Sequence, residues 1–566
     1  MSDGLGAAMP HLVAVPVLLP LAAAAGMLLV GETHRSWKAA IDVAATIAGL
    51  LVAIVLLRWT YQHEGSAAIG VYLPGNWSVP FGIVLAVDRL TALMLVLTGI
   101  VSGASVLFSL ARWHRAGVHY HTLFQLQLMG VNGAFLTADL FNLFVFVEVA
   151  LAASYGLLLH GSGSVRVRAG LKYIAFNLLA SSLFLIGVAM LYGITGTLNF
   201  ADMAQKIPHV APADRGLLHA GAAVLAIAFL AKAAMWPLAF WLSPAYSAAA
   251  APVAAVFVIL TKVGVYAVLR LWTLLLSAEA GESARFGADA LIAGGFLTLA
   301  FGAIGILASQ QLRRLASYSL IISSGTLIAA IGLGQASLIG AALYYVAGST
   351  IATCALYLLV ELVERGREIE SAPPISVDET DHLPFFLERQ DRPEHGSDDD
   401  AFIGRAIPLG TAFLGIGFLG CALMIAGLPP LSGFLAKFSM LTAAFDPGDA
   451  YAAGARPVAG THWVLLGLLL GSGLLSTIAL SRAGVRYFWA PHGNPMQRLR
   501  IVECVPIAAL LVVFAALTIR AEAIVDFTRA AAQGVIAPAD YIAAVLTAVP
   551  VPGPKRDASL QTTSHP

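Results

Sequence analysis

Charged residues and cysteines are both scarce in this chain of 566 residues. Only 11% of the residues are charged and 59% are hydrophobic, whereas an ordinary soluble domain is about 25% charged. The three cysteines form no CxxC pair, so neither a disulfide framework nor a zinc site is expected. The 32 basic and 32 acidic residues cancel, which gives no reason to expect nucleic-acid binding. No P-loop or metal-ligand motif occurs, so the sequence indicates neither ATP hydrolysis nor a redox centre, and no cofactor.

Long apolar runs fill most of the chain. Runs of about 20 apolar residues are the signal of transmembrane helices, and they predict an all-α polytopic membrane protein with about 14 spans. The first run has no Lys or Arg before it and predicts a spanning helix, not a cleaved signal peptide. Polar breaks interrupt the seventh and twelfth spans. The predicted spans are 11–30, 39–57, 81–110, 120–138, 140–160, 170–192, 217–242, 252–272, 290–308, 314–333, 336–360, 406–445, 463–481 and 501–519.

Basic residues are concentrated in alternate loops between these spans. Basic loops face the cytoplasm, and this rule places both termini outside, in a multi-pass protein of a bacterial inner membrane. A polar insert at 364–405 and the segment after 557 are expected to be partly disordered. The basic loops contain Arg35, Lys38, Arg112, Arg115, Arg166, Arg168, Lys172, Arg313, Arg314, Arg365, Arg367, Arg482, Arg486, Arg498 and Arg500.

Two lysines flank the break in the seventh span. Lys232 and Lys262 lie in apolar runs on either side of Pro237 and Pro244. A lysine in mid-membrane costs about 2.5–3.5 kcal/mol on insertion scales and is rarely without a function. We therefore predict an ion path at the midplane, with Glu148 of the fifth span as the partner of Lys232. The alternative is a fixed structural ion pair.

The twelfth span repeats this pattern. Lys437 follows Pro429 and Pro430, and proline opens a helix because it cannot donate its backbone hydrogen bond. Corresponding breaks in two halves of a transporter are typical of inverted repeats. We place these repeats at spans 4–8 and 9–13, and two unrelated kinks are the alternative. The predicted regions are 1–119 (helices 1–3), 120–272 (first repeat), 290–481 (second repeat, containing the insert) and 482–566 (last helix and tail).

Three further observations concern ionisable residues other than Glu148 and the three lysines. Asp88 lies near the end of a span, which favours a capping or interfacial role. Asp139 lies at a tight turn and is expected to be exposed. None of the 14 histidines lies in the middle of a predicted span, so no histidine relay is expected.

Three stretches of sequence resemble the antiporter-like membrane subunits of respiratory complex I and of Mrp-type (Mnh, Pha) antiporters. They are FNLFVFVEVAL, FLAKAAMWPLAFWLSPAYSAAAAPVAAVFVILTKVGVYAVLRL and AGLPPLSGFLAKFSML. Together with the polar insert, they are most similar to the Mrp D subunits. The resemblance implies 14 helices, two inverted five-helix repeats and broken helices 7 and 12. It also implies a hydrated polar chain through Glu148, Lys232, Lys262 and Lys437.

Helix 11 departs from the family pattern. A lysine or histidine is usual there, but this chain has Gly348 at about that position. A link from Lys262 to Lys437 would then use water and hydroxyl groups. The candidates for this relay are Tyr344, Tyr345, Ser349 and Thr350.

The resemblance implies a proton-translocating subunit of a Na+(K+)/H+ antiporter, driven by the proton motive force and without a redox cofactor. Its expected partners are a larger homologous A subunit, the small membrane subunits B, C, E, F and G, membrane lipids, protons, and Na+ or K+. The alternative is a proton-pumping subunit of NADH:quinone oxidoreductase or of a membrane-bound hydrogenase. An inert scaffold subunit is a third possibility, which the buried charges oppose.

Overall fold

The fold is nearly all helical in a computed structural model that describes residues 2–31, 34–371, 408–446, 460–489 and 499–550. Most of the insert at 364–405 and the segment after 557 lie outside these ranges, so their predicted disorder stays a prediction. The helices are α1 (Ser2–Leu29), α2 (Arg35–Gln62), α3 (Arg89–Ser109), α4 (Tyr120–Leu136), α5 (Leu140–Leu159), α6 (Ser164–Thr195), α7 (Phe200–Lys206), α8 (Arg215–Lys232), α9 (Leu242–Ala248), α10 (Ala251–Leu275), α11 (Ala288–Ala308), α12 (Leu312–Leu333), α13 (Ala336–Ser371), α14 (Leu409–Ala426), α15 (Ser432–Ala444), α16 (Gly460–Gly484), α17 (Ile501–Ile519), α18 (Ala521–Ile536) and α19 (Ala539–Leu546).

Among the described residues, thirteen helices are long and apolar enough to cross a membrane. The fourth predicted span corresponds to α4, which has only 17 residues. A multi-pass membrane protein is therefore confirmed, whereas the exact number of crossings and the inverted repeats stay predictions.

One short hairpin interrupts the helical architecture. Strand β1 (Gly70–Tyr72) pairs antiparallel with β2 (Leu85–Val87), and Val71 lies opposite Ala86. The predicted third span, 81–110, is wrong at its start because residues 81–84 are not helical and β2 follows them. Helix α3 begins only at Arg89, where the Asp88 carboxylate accepts a hydrogen bond from Thr91 N at 2.9 Å. The predicted capping role of Asp88 is thus confirmed.

Three helices form the centre of the bundle. In α10, α12 and α13, 94 to 100% of the most apolar window is buried inside the protein, against 22% in α2. The peripheral helices expose leucine and isoleucine side chains, as lipid-facing helices do because lipid tails are equally apolar. The central helices carry Lys262, Ser323 and Ser349, so these polar groups are shielded from lipid.

The predicted basic loops meet at one end of the bundle. Arg35 donates to Arg115 O, Arg500 donates to Ala111 O, and Arg482 donates to Ser309 O. These contacts place the loops before α2, α4, α12 and α17, and the end of α16, on one face. Helices α18 and α19 follow the last span, and α18 packs on α13 and α3.

Candidate functional site

The first broken helix ends at Lys232. Helix α8 stops there, and Ala234 adopts a left-handed conformation with φ of 57°. The freed backbone is satisfied by neighbours, since Trp236 N donates to Thr298 Oγ1 of α11 at 2.8 Å and Trp241 Nε1 donates to Ala231 O at 3.0 Å. Irregular backbone at membrane depth is tolerated where protein provides such partners. The break therefore fixes Lys232 at the end of a half-helix.

Glu148 and Lys232 are not in contact in this structure. Lys232 is 7% exposed, and its Nζ has no hydrogen-bond partner among the described residues. The Glu148 carboxylate instead accepts a hydrogen bond from Ser181 of α6, although it still acts electrostatically on Lys232. The predicted ion pair is therefore wrong for this conformation, because a hydroxyl on the adjacent helix satisfies the carboxylate.

A small cavity lies beside Lys232. Its volume is about 20 Å³, and its polar lining consists of Lys232, Tyr173, Asn177, Tyr246 and Thr261. This is room for about one water molecule. Tyr246 and Thr261 are hydrogen-bonded at 2.7 Å, and Thr261 is the chain neighbour of Lys262. A single water can thus connect Lys232 to the polar groups of α10.

The close approach of α8 and α10 depends on Gly264. A Cβ atom at this position would lie 2.6 Å from Ala233 N and 2.9 Å from Lys232 C. Both are backbone atoms, which cannot move aside as the end of a flexible side chain can. Glycine therefore allows the end of α8, which carries Lys232, to pack against α10 at Gly264, two residues after Lys262.

Lys262 begins a chain of hydroxyl groups through the central helices. It is 1% exposed, and its Nζ donates to Ser323 Oγ of α12 at 2.7 Å. Ser323 Oγ lies 3.0 Å from Ser349 Oγ of α13, within hydrogen-bond distance. The relay candidate Ser349, on α13 (the predicted helix 11), thus lies within hydrogen-bond distance of this chain. Ser323 was not predicted.

The other three relay candidates lie in different surroundings. Tyr344 donates to Leu517 O of α17 at 3.0 Å and so bonds away from Lys262. Tyr345 lies beside Ser323. Thr350 is buried, and its Oγ1 has no partner among the described residues.

The second broken helix is held by Lys437. Helix α14 ends at Ala426 and α15 begins at Ser432. Lys437 Nζ donates to Ala426 O at 2.8 Å and to Ile425 O at 3.4 Å, so its ammonium group lies at the carbonyl end of α14. A cation is favourable there because the helix dipole is negative at that end. Ser432 N donates to Thr518 Oγ1 of α17 at 3.0 Å, which satisfies the break as Thr298 does in the first half.

Gly348 faces this second break. A Cβ atom on Gly348 would lie 3.0 Å from Met424 Cε and 3.6 Å from Ser432 Oγ. Met424 Sδ accepts a hydrogen bond from Ser432 at 3.3 Å. The Met424 thioether therefore occupies the space beside Gly348 on α13, and no hydrogen bond between described residues joins Ser349 to Lys437.

The four predicted helix breaks differ in their position. Pro237 lies in the interruption after α8, and Pro429 and Pro430 lie in the interruption between α14 and α15. The prediction that Pro244 breaks a helix is wrong, since this residue lies in the first turn of α9. Proline fits there because the first backbone N–H groups of a helix have no intrahelical partner.

Arg270 joins the row of polar groups on α10. It pairs with Asp88 at 2.7 Å, and its guanidinium lies 5.0 Å from the ring centroid of Tyr541 in α19.

Asp139 was expected to be exposed, but it is partly buried as the N-cap of α5, and burial raises the pKa of its carboxyl group. Within the described ranges, no cluster of three or more His, Cys, Asp or Glu side chains is placed to hold a metal ion.

Comparison with known proteins identifies the family of this chain. Residues 137–373 match the family described as NADH:quinone oxidoreductase/Mrp antiporter, TM. The chain is 48% identical over 539 residues to the D subunit of a probable K+/H+ antiporter from Rhizobium meliloti, a match that covers 95% of this chain and 98% of that protein. This chain belongs to the family of antiporter D subunits. Another member, the D subunit of the Na+/H+ antiporter from Alkalihalophilus pseudofirmus, is 32% identical, and the match covers 95% of this chain and 100% of that protein.

The fold of the antiporter D subunits recurs in solved complexes. A chain of the Mrp complex from Dietzia sp. matches with a TM-score of 0.76 and 24% identity, over 95% of this chain and 99% of that chain. A chain of respiratory complex I from Thermus thermophilus matches with a TM-score of 0.69 and 22% identity, over 95% of this chain and 100% of that chain. The predicted family and fold are confirmed, and the named D subunits are parts of transporters, not enzymes.

Proposed function

We propose that this chain is the proton-translocating subunit of a Na+(K+)/H+ antiporter driven by the proton motive force. Its relatives among the D subunits are described as parts of K+/H+ or Na+/H+ antiporters, which supports a monovalent cation as the exchanged ion. We place the protein in a bacterial inner membrane with both termini outside. Clustering of the basic loops at one end supports this orientation.

The observation that carries this proposal is the position of the buried lysines relative to the breaks. Lys232 ends one half-helix, Lys437 binds the end of another, and Lys262 begins the hydroxyl chain that reaches Ser349 of α13. We assign the proton path to Glu148, Lys232, Lys262 and Lys437, with Ser323 and Ser349 as the link from α10 to α13. Among the described residues, no carboxylate lies within the 4.0 Å ion-pair distance of any of these lysines. A proton or cation that arrives nearby therefore changes their interactions strongly.

Rearrangement of the Glu148–Lys232 pair supplies the proton-transfer step. With Glu148 bonded to Ser181 and Lys232 unpartnered among the described residues, this structure corresponds to the open state of the pair. Moving one charge through 100 mV is worth about 2.3 kcal/mol. Breaking a buried pair costs about 3 to 5 kcal/mol, so the membrane potential is large enough to bias opening and closing.

The working unit is proposed to be a hetero-oligomer. Its expected partners are a larger homologous A subunit and the small subunits B, C, E, F and G, and regions 120–272 and 290–481 are proposed to form the two inverted repeats. Membership of the family of D subunits favours this assembly over a redox-driven pump. The chains from redox complexes support the same fold only, because their identity to this chain is low.

Exchange in everted vesicles that contain the assembled complex tests the proposal. Glu148→Gln and Lys232→Ala are expected to abolish cation/proton exchange while co-purification of the other subunits stays intact. The matched controls are Glu282→Gln, whose side chain is 73% exposed, and Lys206→Ala, whose side chain is 45% exposed. Normal exchange in either Glu148→Gln or Lys232→Ala would remove these residues from the proton path.

A further inference from the structure

A second polar pocket lies outside the row of lysines, among the first four helices. Its volume is about 20 Å³, which is room for one water-sized particle. Helices α1, α2, α3 and α4 enclose it with residues from the middle of the membrane-spanning segments. Its polar lining consists of Thr46, Thr98, Ser102, Gln125 and Asn132.

The two amides of this pocket have unpaired oxygen atoms. Gln125 Nε2 donates to Asp42 Oδ1 at 2.6 Å and to Thr46 Oγ1 at 2.9 Å. Asn132 Nδ2 donates to Pro16 O at 2.9 Å. These acceptors fix which end of each amide is the nitrogen. Gln125 Oε1 and Asn132 Oδ1 are both buried, and neither has a hydrogen-bond partner in the part of the chain that the structure describes.

The hydroxyl groups on α3 also face the pocket as acceptors. Thr98 Oγ1 donates its proton to Met94 O at 2.7 Å, and Ser102 Oγ donates its proton to Thr98 O at 2.5 Å. Only lone pairs remain on these two oxygens. The pocket therefore offers two unpaired amide oxygens and two hydroxyl oxygens whose protons are already donated elsewhere. An unpaired buried acceptor is costly, and a cation satisfies several of them together.

A buried carboxyl group lies behind Gln125. Asp42 is fully buried, and its Oδ2 lies 2.6 Å from His121 Nδ1, while His121 Nε2 has no partner among the described residues.

We propose that this pocket binds one monovalent metal cation, Na+ or K+. Uncharged oxygen ligands replace the hydration shell of such ions. A divalent ion is disfavoured because calcium and magnesium sites use several carboxylates or retained waters, and this pocket has neither the charge nor the room. The proposal rests on the antiporter function, and it adds a cation site to a subunit whose lysines are assigned to protons.

Paired serine variants on α3 test the site. Ser102 and Ser105 are both buried and both donate to the backbone of their own helix, but only Ser102 lines the pocket. Loss of one oxygen ligand is expected to raise the cation concentration for half-maximal exchange about fivefold, equivalent to about 1 kcal/mol. We expect this shift for Ser102→Ala and a larger one for Ser102→Ala with Thr98→Val. Ser105→Ala is the control and should not shift.

Direct binding separates this site from the proton path. The purified complex is titrated with radioactive Na+ and, separately, Rb+ as a K+ substitute, and Asn132→Leu is expected to bind one ion fewer. An unchanged half-maximal concentration in the serine variants, together with unchanged ion stoichiometry in Asn132→Leu, overturns the cation site and leaves water as the occupant. Loss of exchange in Glu148→Gln would still support the antiporter function in that case.

Discussion

Removing the Ser323 hydroxyl tests the link between Lys262 on α10 and Ser349 on α13. Ser323 Oγ accepts from Lys262 Nζ at 2.7 Å and lies 3.0 Å from Ser349 Oγ. In Ser323→Ala, Lys262 loses the side-chain partner that the structure gives it. A hydrogen bond from a charged donor contributes about 1.5 to 3 kcal/mol, which corresponds to about 10- to 160-fold in rate. We expect exchange in everted vesicles to fall within this range.

A serine one turn earlier on the same helix provides the control. Ser319 is also buried, but its hydroxyl donates to Ala316 O of its own helix. Ser319→Ala is expected to retain exchange within about twofold, because such back-bonded hydroxyls contribute little. Ser323→Thr keeps the hydroxyl and should restore most of the activity. If Ser323→Ala loses no more exchange than Ser319→Ala, the hydroxyl chain does not carry the transfer.

Three further predictions concern stability. Asp88→Asn is expected to lower the free energy of unfolding by about 3 kcal/mol, because it leaves the buried charge of Arg270 without its partner. Gly264→Ala is expected to cost about 1 to 3 kcal/mol, because its Cβ would press on the backbone at Lys232. Burial, followed by the neighbouring positive charges, lowers the pKa of His114 from 6.5 to about 4. Between pH 6.5 and about 4, His114 binds a proton in the unfolded chain but stays neutral in the folded protein. The free energy of unfolding should therefore fall as the pH drops through this range.

Thermal unfolding of the purified protein checks all three predictions. Asp202→Asn, which breaks a pair with the more exposed Lys206, should shift the melting temperature less than Asp88→Asn. Gly193→Ala has free space around the new Cβ and should not destabilise. His114→Gln should melt with a weaker dependence on acid pH than the unaltered protein. Equal shifts in a variant and its control would contradict the corresponding argument.

The lysines and their helices could be predicted because the membrane makes them stand out. An isolated lysine in an apolar run is expensive, and proline beside it marks the interrupted helix, so Lys232, Lys262 and Lys437 were visible in the sequence. Pro244 shows the limit of this reasoning. The same residue breaks a helix interior and fits a first turn, and only the start of α9 at Leu242 distinguishes the two.

The partners of these groups could not be predicted in the same way. Ser323 lies 61 residues from Lys262 along the chain, and serine in a membrane helix usually bonds to its own backbone, as Ser319 does. Asp42 meets His121 across 79 residues, and the histidine lies in the first turn of α4, where no relay was expected. Helical periodicity gives the face on which a side chain lies but not which helix packs on that face.

The hydrogen bond between Trp236 and Thr298 at the first break has a mechanical consequence. Trp236, just beyond Lys232, is tied to Thr298 of α11, a helix in the second half of the chain. If α8 rotates so that Lys232 approaches Glu148, either the hydrogen bond between Trp236 and Thr298 breaks or α11 moves with α8. Helix α11 packs on α12, which carries Ser323. In the proposed closing of the ion pair, Thr298 would be the contact through which movement of the Lys232 half-helix reaches α11 and then α12.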